Sequence, residues 1–463
     1  MENTTKHGSV RNRVTFGLGT VGRDMVYALV SMFLIVYLTE VLDLPDSTMW
    51  WITGIVFAAR IFDALTDPLM GFIVDNTSTR WGKFKPWITI GAILTPVFTI
   101  LLFTDFGLQG SGFIIAFTVF YLMWGLSYTL HDISYYSMLP SLSVDQKERE
   151  KIGALARICA NIGLFFVVVA LFPLTGLLGE HFGSPQSGFF AFSILVTVIM
   201  VMGLSVTIFG VKETGIVTAK KQNTSIRELL GIIYKNDQLF ITAIAMSLFM
   251  IGYMTTTTFG AYFFIYAYGD EGMFPVFAGI LGVSQLAALT VFPLFSKKFD
   301  RKMLYTGAII SITVGYVLFF FAPVTTMLFI GIAGVLIFFG QAFIQLLMLM
   351  FLADSVDYGH WKLGKRNDSI SFSIQPFINK LGGAVGTGIV GAVAIISGIN
   401  TAETAADVSA EGLFLMKVAM LLFPLLCIVV SYLLYRWRFK IDAKFYSEIL
   451  SDLRDRGELA KEK

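Results

Sequence analysis

Twelve runs of about twenty or more mostly apolar residues, separated by short polar connections, leave this chain few ways to fold. They lie roughly at 14–40, 49–72, 84–104, 111–140, 152–178 and 187–210, and again at 238–266, 272–296, 303–322, 325–352, 370–398 and 411–436. Each is long enough to cross a bilayer as a helix, and a helix satisfies its own backbone there. The chain therefore reads as an all-α membrane protein with twelve transmembrane helices. Composition supports this: of 463 residues, 56% are hydrophobic and 14% charged, whereas soluble domains carry about a quarter charged. A net charge of +2 offers no footing for nucleic acid. Cys159 and Cys427 sit in apolar stretches with no CxxC spacing, so they read as packing residues. The polar first dozen residues pass into the first run without a small-residue cleavage site, which predicts a permanent first helix rather than a secretory leader.

The connections alternate in charge. Those at 80–87, 145–151, 211–237, 296–302 and 360–366 each hold three or more Lys or Arg, while those at 40–48, 104–111, 179–187, 268–274 and 396–411 hold none. Basic connections stay in the cytoplasm, so both termini are expected there. The stretch 211–237, with an amphipathic RELLGIIY at 227–234, is the longest connection on that side and divides the spans six and six. The expected organisation is a bundle over 1–210, a linker over 211–237, a second bundle over 238–436 and a cytoplasmic tail over 437–463. The loop after the second span (Asp75, Arg80, Lys83, Lys85) is weakly echoed after the eighth (Lys297, Lys298, Asp300, Arg301, Lys302). Such a repeat belongs to two-bundle transporters with a site near the midplane.

Ionisable residues inside the spans carry the functional signal. Arg23, Asp24, Arg60, Asp63, Asp67, Asp132, Arg157 and Lys380 would together cost about 24 kcal/mol if each stood alone at a helix centre, so they need partners, water or a function. Asp63 and Asp67 are spaced i,i+4 and share a face. Thr66 lies beside them, and Pro68 deprives the Ala64 carbonyl of its donor. Such hard oxygens suit Na⁺, and paired carboxylates equally suit H⁺; the bland alternative is that Arg60 neutralises Asp63. Thr129, Asp132 and Tyr136 share a face of the fourth span. An acid beside an aromatic ring is a sugar-binding pattern; the alternative is that Asp132 pairs with Arg157 or Lys380. Adjacency predicts that the Arg23 and Asp24 side chains diverge, and His131 reads as structural. Asp354 and Asp357, at the end of the tenth span, face the charge opposite to Lys147 and Arg149, just after the fourth. Such charges suit a lock on the inner mouth, or ordinary solvated loop charge.

The motif RIFDALTDPLMGFIVDNTSTRWGKFKPW at 60–87, with VGRD at 21–24, YTLHDISYYSMLP at 128–140, IYKNDQL at 233–239 and ADSVDYG at 353–359, resembles the glycoside–pentoside–hexuronide:cation symporter family of the major facilitator superfamily, over nearly the whole chain. The resemblance implies a major facilitator fold of two six-helix bundles and secondary active import of a sugar with H⁺ or Na⁺, without other cofactor. It implies Asp63 and Asp67 as cation carboxylates, and metal ligands where the ion is Na⁺, with Thr66 beside them and Thr129 as a further ligand. Asp24 and Asp132 would hold sugar hydroxyls, with Tyr136, Arg23, Arg157 and Lys380 around them. Arg149, Asp354 and Asp357 would form a cytoplasmic gate. It also implies a bacterial inner-membrane protein able to work as a monomer, with a sugar, a cation and the lipid bilayer as partners. Thr66 stands where a Na⁺-using member has an amide, which favours protons. Tyr136 replaces a Trp, and Gln345 stands in place of an aromatic, so no galactoside is expected in particular. A carrier of lysolipids or drugs in the same fold is the rival reading. An intramembrane aspartyl protease is remote, because its acids would have to meet across different helices.

Overall fold

A computed structural model describes residues 2–143, 145–212, 231, 233–270, 272–324, 326–399 and 407–458. Most of the 211–237 linker, including the greater part of RELLGIIY, and the side chain of Arg60 lie outside the described residues. Among those described the chain is helical and has no strand. The helices are α1 (Glu2–Val36), α2 (Asp46–Asp75), α3 (Lys85–Leu102), α4 (Gly110–Ser137), α5 (Gln146–Phe182) and α6 (Pro185–Gly210). They continue with α7 (Asp237–Tyr262), α8 (Met273–Lys298), α9 (Arg301–Phe321), α10 (Met327–Leu363), α11 (Asp368–Ile396), α12 (Ala410–Arg438) and α13 (Ala443–Asp455).

Eleven of these helices are long and apolar enough to cross a membrane. The remaining candidate, α2, runs for 30 residues over Asp46–Asp75, with a described apolar stretch at Ser47–Ala59. With α2 the expected twelve are present. Polar caps fix several starts: Asp145 accepts from Lys147 N at 3.0 Å, Asn236 from Leu239 N at 3.0 Å and Asp300 from Met303 N at 2.7 Å. Each satisfies one orphan amide of a first helical turn.

Two boundaries differ from expectation. Lys147 and Arg149 lie inside the first turns of α5 rather than in a loop, since Asp145 caps the helix before them. Asp354 and Asp357 do not end α10, which continues to Leu363 and stops at Gly364 with φ 67°. Buried polar residues simply extend the helix past its apolar stretch, and only the left-handed glycine terminates it.

The chain forms two compact units: Met1–Leu229 with Asn367–Ser373 and Gly457–Lys463, and Leu230–Arg366 with Ile374–Arg456. In the first, α1 packs on α5 and α6, α3 on α4 and α6, and α2 on α4. In the second, α7 packs on α11 and α12, α9 on α10 and α12, and α8 on α10. Adding six to each helix of the first set gives the second. The repeat extends to detail: a π-helical segment follows α1 (Tyr37–Val41) and another follows α7 (Phe263–Tyr268). Close approach helps to tighten the first unit, where a Cβ on Gly163 would meet Val21 O at 2.2 Å. Membrane helices use small residues at such crossings.

Candidate functional site

The first unit holds a buried ionic centre built from α1, α4 and α5. Arg23, 1% exposed, donates from Nη2 to Asp24 Oδ2 at 2.7 Å and to Tyr136 OH at 2.9 Å, and from Nε to Asp24 Oδ2 at 3.2 Å. Its Nη1 lies 3.1 Å from Asp132 Oδ1, an ion pair off the hydrogen-bonding line, because Nη1 has no aligned acceptor. The expectation that Arg23 and Asp24 diverge is therefore corrected. The Cα–Cβ bonds do diverge, but the guanidinium arm is long enough to curl back onto its neighbour. Asp132 pairs with Arg23, a partner the sequence reading did not weigh for it. The Tyr136 ring lies between two cations, with Arg23 Cζ 4.5 Å and Arg157 Cζ 5.6 Å from its centroid. The two acids remain partly open, with side chains 22% and 19% exposed for Asp24 and Asp132. Arg157 Nε has no hydrogen-bond partner among the described residues. The centre thus offers carboxylate acceptors, an unsatisfied guanidinium donor and an aromatic face, a set suited to a polyhydroxylated ring.

Beside it, two i,i+4 pairs face each other across α2 and α4. The Asp63 carboxylate lies over Gly125, where an added Cβ would meet Oδ1 at 3.1 Å. One turn on, the Thr129 hydroxyl donates to Asp67 Oδ1 at 3.4 Å, with Asp67 fully buried. Thr66 is turned back on its own helix, donating to Asp63 O at 3.2 Å. Pro68 is inside α2, in accord with the freed Ala64 carbonyl expected there. The structure thus brings Asp63, Asp67 and Thr129 together and adds Gly125, whose missing side chain makes room for the carboxylate. His131 is buried with Nδ1 3.2 Å from Ser127 O, a packing role. Lys380 is half-buried in the second unit.

The expected gate residues each have partners within their own unit. Arg149 donates to Ser143 O at 2.5 Å and Pro140 O at 3.0 Å, tying down the turn after α4. Asp354 is paired with Arg301. Asp357 accepts from Arg366 Nη1 at 2.7 Å and from Tyr446 OH at 2.6 Å. A further cluster lies in the first unit at the end of α2. Asp75 accepts from Ser369 N at 3.0 Å and Ile370 N at 2.8 Å, the opening amides of α11. Lys83 bridges Asp75 Oδ1 at 2.5 Å and Asp368 Oδ2 at 3.2 Å. Burial alone would pull the Lys83 ammonium down, but the two carboxylates more than reverse it and hold it above the usual lysine value. It stays charged through the physiological range.

Residues 15–443 match the family described as MFS/sugar transport protein. The chain belongs to that family. It is 32% identical over 474 residues to a lactose permease of Leuconostoc lactis, covering 98% of this chain and 74% of the relative. It is 30% identical over 458 residues to a raffinose carrier protein of Pediococcus pentosaceus, covering 96% and 71%. Among solved structures it resembles FucP, a major facilitator superfamily transporter in the outward conformation, with TM-score 0.68 at 12% identity, covering 94% of this chain and 99% of that one. The protein is thus a multi-pass transporter of the major facilitator fold and not an enzyme.

Within this family member the sequence pointed to most of the central charges but not to all their partners. Gly125 gave no signal as a lone glycine in an apolar helix. Arg301, Arg366 and Tyr446 were hidden among ordinary basic and aromatic residues near helix ends. Asp75 and Lys83 stood out only as part of a basic loop. A carboxylate four residues after a small residue at a helix end, followed by several bases, is the pattern that could have marked them.

Proposed function

We propose that this protein imports a sugar by symport with H⁺ or Na⁺, with Asp24, Asp132, Tyr136, Arg23, Arg157 and Lys380 at the sugar and Asp63, Asp67 and Thr129 at the cation. The observation that carries the reading is Arg23 held between Asp24, Asp132 and Tyr136 while both acids stay partly open. An entering hydroxyl can replace one of these links without leaving a buried charge unpaired, so the centre is ready to exchange internal contacts for ligand contacts. The relatives named for lactose and raffinose support a sugar as cargo.

Cation binding at Asp63 and Asp67 offsets negative charge beside the ionic centre and favours the sugar. By linkage the sugar must favour the cation by the same factor. The loaded carrier alternates between two access states by movement of one six-helix bundle against the other. Arg149, Asp354 and Asp357 serve the gate at the end rich in basic loops, which is cytoplasmic in a bacterial inner membrane and carries both termini. The carrier is able to work as a monomer. A lysolipid path would favour apolar groups where Asp24 and Asp132 stand, so the sugar reading is preferred.

The test is uptake of labelled glycosides, pentosides and uronides into proteoliposomes under separately imposed Na⁺ and H⁺ gradients, with Asp67→Asn as control. Accumulation driven by one gradient and lost in Asp67→Asn is the expected result and names the ion. Uptake indifferent to both gradients and to the substitution would remove the coupling assignment.

A further inference from the structure

We propose that Lys417, with Phe320, Phe321 and Phe414 around it, holds the headgroup phosphate of an anionic phospholipid at the end of α9 and α12 away from the basic loops. By the orientation proposed above, that end lies in the outer leaflet.

Charge placement makes Lys417 an exception. The connections at this end of the second unit, 268–274, 322–326 and 396–411, hold no Lys or Arg, whereas 296–302 and 360–366 at the other end hold three or more each. Lys417 is the eighth residue of α12, about 10 Å along the helix from its first. It is the one charged residue from Gly412 to Tyr435. A charge in such a run needs a partner, water or a function. No ion pair joins it to a carboxylate among the described residues; its contact is with Phe320 of α9, whose ring centroid lies 5.3 Å from Nζ. Attraction to the ring face offsets part of the lost hydration. An ammonium carries three N–H donors, however, and the ring engages only the side turned toward it. The other side is left to oxygen acceptors.

The surroundings are those of a lipid face. On α9 the exposed residues Ile310, Val314, Val317 and Phe321 follow one another at helical spacing, and all are apolar. On α12 Phe414, Leu422 and Leu426 are exposed in the same way. Phe321 is 78% and Phe414 61% exposed. Stripes of this kind on membrane helices face acyl chains, since polar positions turn toward protein or water. The Phe320 ring meets Phe321 at 5.3 Å and Phe414 at 6.4 Å between centroids. The rings thus bridge α9 and α12 around the ammonium.

The occupant follows from charge complementarity. A lysine keeps its apolar stem among the rings while its head extends toward the interface, where it meets the phosphate layer. A zwitterionic headgroup brings its own ammonium, whereas an anionic one brings uncompensated negative charge and is favoured by a nearby lysine. The acyl chains of the same lipid lie along the exposed stripes. Lys417 also immediately precedes the π-helical turn Val418–Leu422, where the Met420 carbonyl accepts from the Thr256 hydroxyl of α7 at 3.1 Å. The headgroup is therefore held next to the turn that joins α12 to α7.

The test is tryptophan quenching by brominated lipids, with the purified full-length protein in nanodiscs. Phe320→Trp places a reporter beside the ammonium and keeps a ring against it. The emission added by that substitution is expected to be quenched about fivefold more effectively by brominated phosphatidylglycerol than by brominated phosphatidylcholine, the usual contribution of one lysine at an anionic surface. Adding Lys417→Gln is expected to bring the ratio to about one, whereas Lys417→Arg keeps it. Quenching of the native tryptophans is expected to be the same with and without Lys417→Gln, which separates loss of the site from loss of the fold. Phe414→Trp makes the same measurement from α12 should Phe320→Trp not fold. A ratio near one with Lys417 in place, or a preference that survives Lys417→Gln, would overturn the site. The two leaflets of a nanodisc are alike, so the outcome depends neither on the orientation of the chain nor on its cargo.

Discussion

A guanidinium presents five donors in a flat fork, and Arg23 directs that fork at two carboxylates and a phenol at once. An ammonium is a point charge on a flexible stem and cannot reach the same three acceptors in one geometry. Arg23→Lys therefore keeps the charge and loses the arrangement. Sugar affinity in an equilibrium binding assay is expected to fall by about 10-fold or more, the usual cost of breaking a charge-assisted hydrogen bond; undiminished affinity would mean that charge alone suffices. Gly125 supports a second test at the cation pair. A methyl group there would lie 3.1 Å from Asp63 Oδ1, closer than ordinary contact, and the opposing atom belongs to a charged group. Gly125→Ala is expected to raise the cation concentration for half-maximal uptake several-fold, with a smaller effect on sugar binding measured at saturating cation. At this scale the acids were legible in the sequence because charge inside an apolar run is conspicuous. Their partners were not. Pairing through Arg23 depends on side-chain reach, and the space over Gly125 depends on how closely α2 and α4 cross.

Helix ends were less legible than helix centres, and the structure gives the reason. The first turns of α11 lie in the first unit, apart in sequence from everything else there, and their opening amides are satisfied by Asp75 of α2. A tertiary cap of this kind leaves no local signature. Asp75→Asn keeps an acceptor but removes the negative charge that complements the helix N-terminus, worth about 1 kcal/mol. Hydrogen exchange at Ser369 and Ile370 is expected to be about fivefold faster; unchanged protection would show that the charge is immaterial. The polar stretch expected as a tail over 437–463 holds α13, whose Tyr446, Ile449 and Leu453 are buried. Trp361 Nε1 donates to Asp452 Oδ2 at 2.9 Å, and Tyr446 reaches Asp357. Asp442 caps α13 by accepting from Phe445 N at 2.9 Å. That bond, opposed by slight burial and aided by Lys302, holds the Asp442 carboxyl below the ordinary aspartate value. A depressed value means the cap contributes fully above about pH 4 and is lost as pH falls through the folded value. Exchange of the amides at 443–455, corrected for intrinsic rate, is expected to rise on acidification below that point. In Asp442→Asn, which caps without titrating, the rise should be smaller; an identical rise in both proteins would place the titration elsewhere.

At the scale of the whole chain the repeat is plain in packing, where α1 on α5 and α6, α3 on α4 and α6, and α2 on α4 all recur six helices later, and faint in sequence. Lipid-facing and buried apolar positions tolerate many exchanges of Leu, Ile, Val and Phe, so two bundles can keep one architecture while their residues drift apart. The charges are the exception: Arg23, Asp24, Arg60, Asp63, Asp67, Asp132 and Arg157 lie in the first half, and Lys380 and Lys417 in the second. One architecture is thus used twice, with most of the charged residues of its spans in one copy. This asymmetry has a thermodynamic consequence. If Asp63 and Asp67 take the cation while the neighbouring centre takes the sugar, the factor by which saturating cation tightens sugar binding must equal the factor by which saturating sugar tightens cation binding. Typical couplings of this kind are about 5- to 150-fold. Both factors can be measured on the purified protein by titrating each ligand at zero and saturating concentrations of the other. In Asp67→Asn the two factors are expected to fall together toward one. The variant is expected to keep exchange of labelled for unlabelled sugar across proteoliposomes, since the ionic centre is intact, and to lose uphill accumulation, which needs the cation. Loss of exchange along with accumulation, in a variant that still binds sugar, would mean that Asp67 is needed for movement of the bundles themselves rather than for coupling.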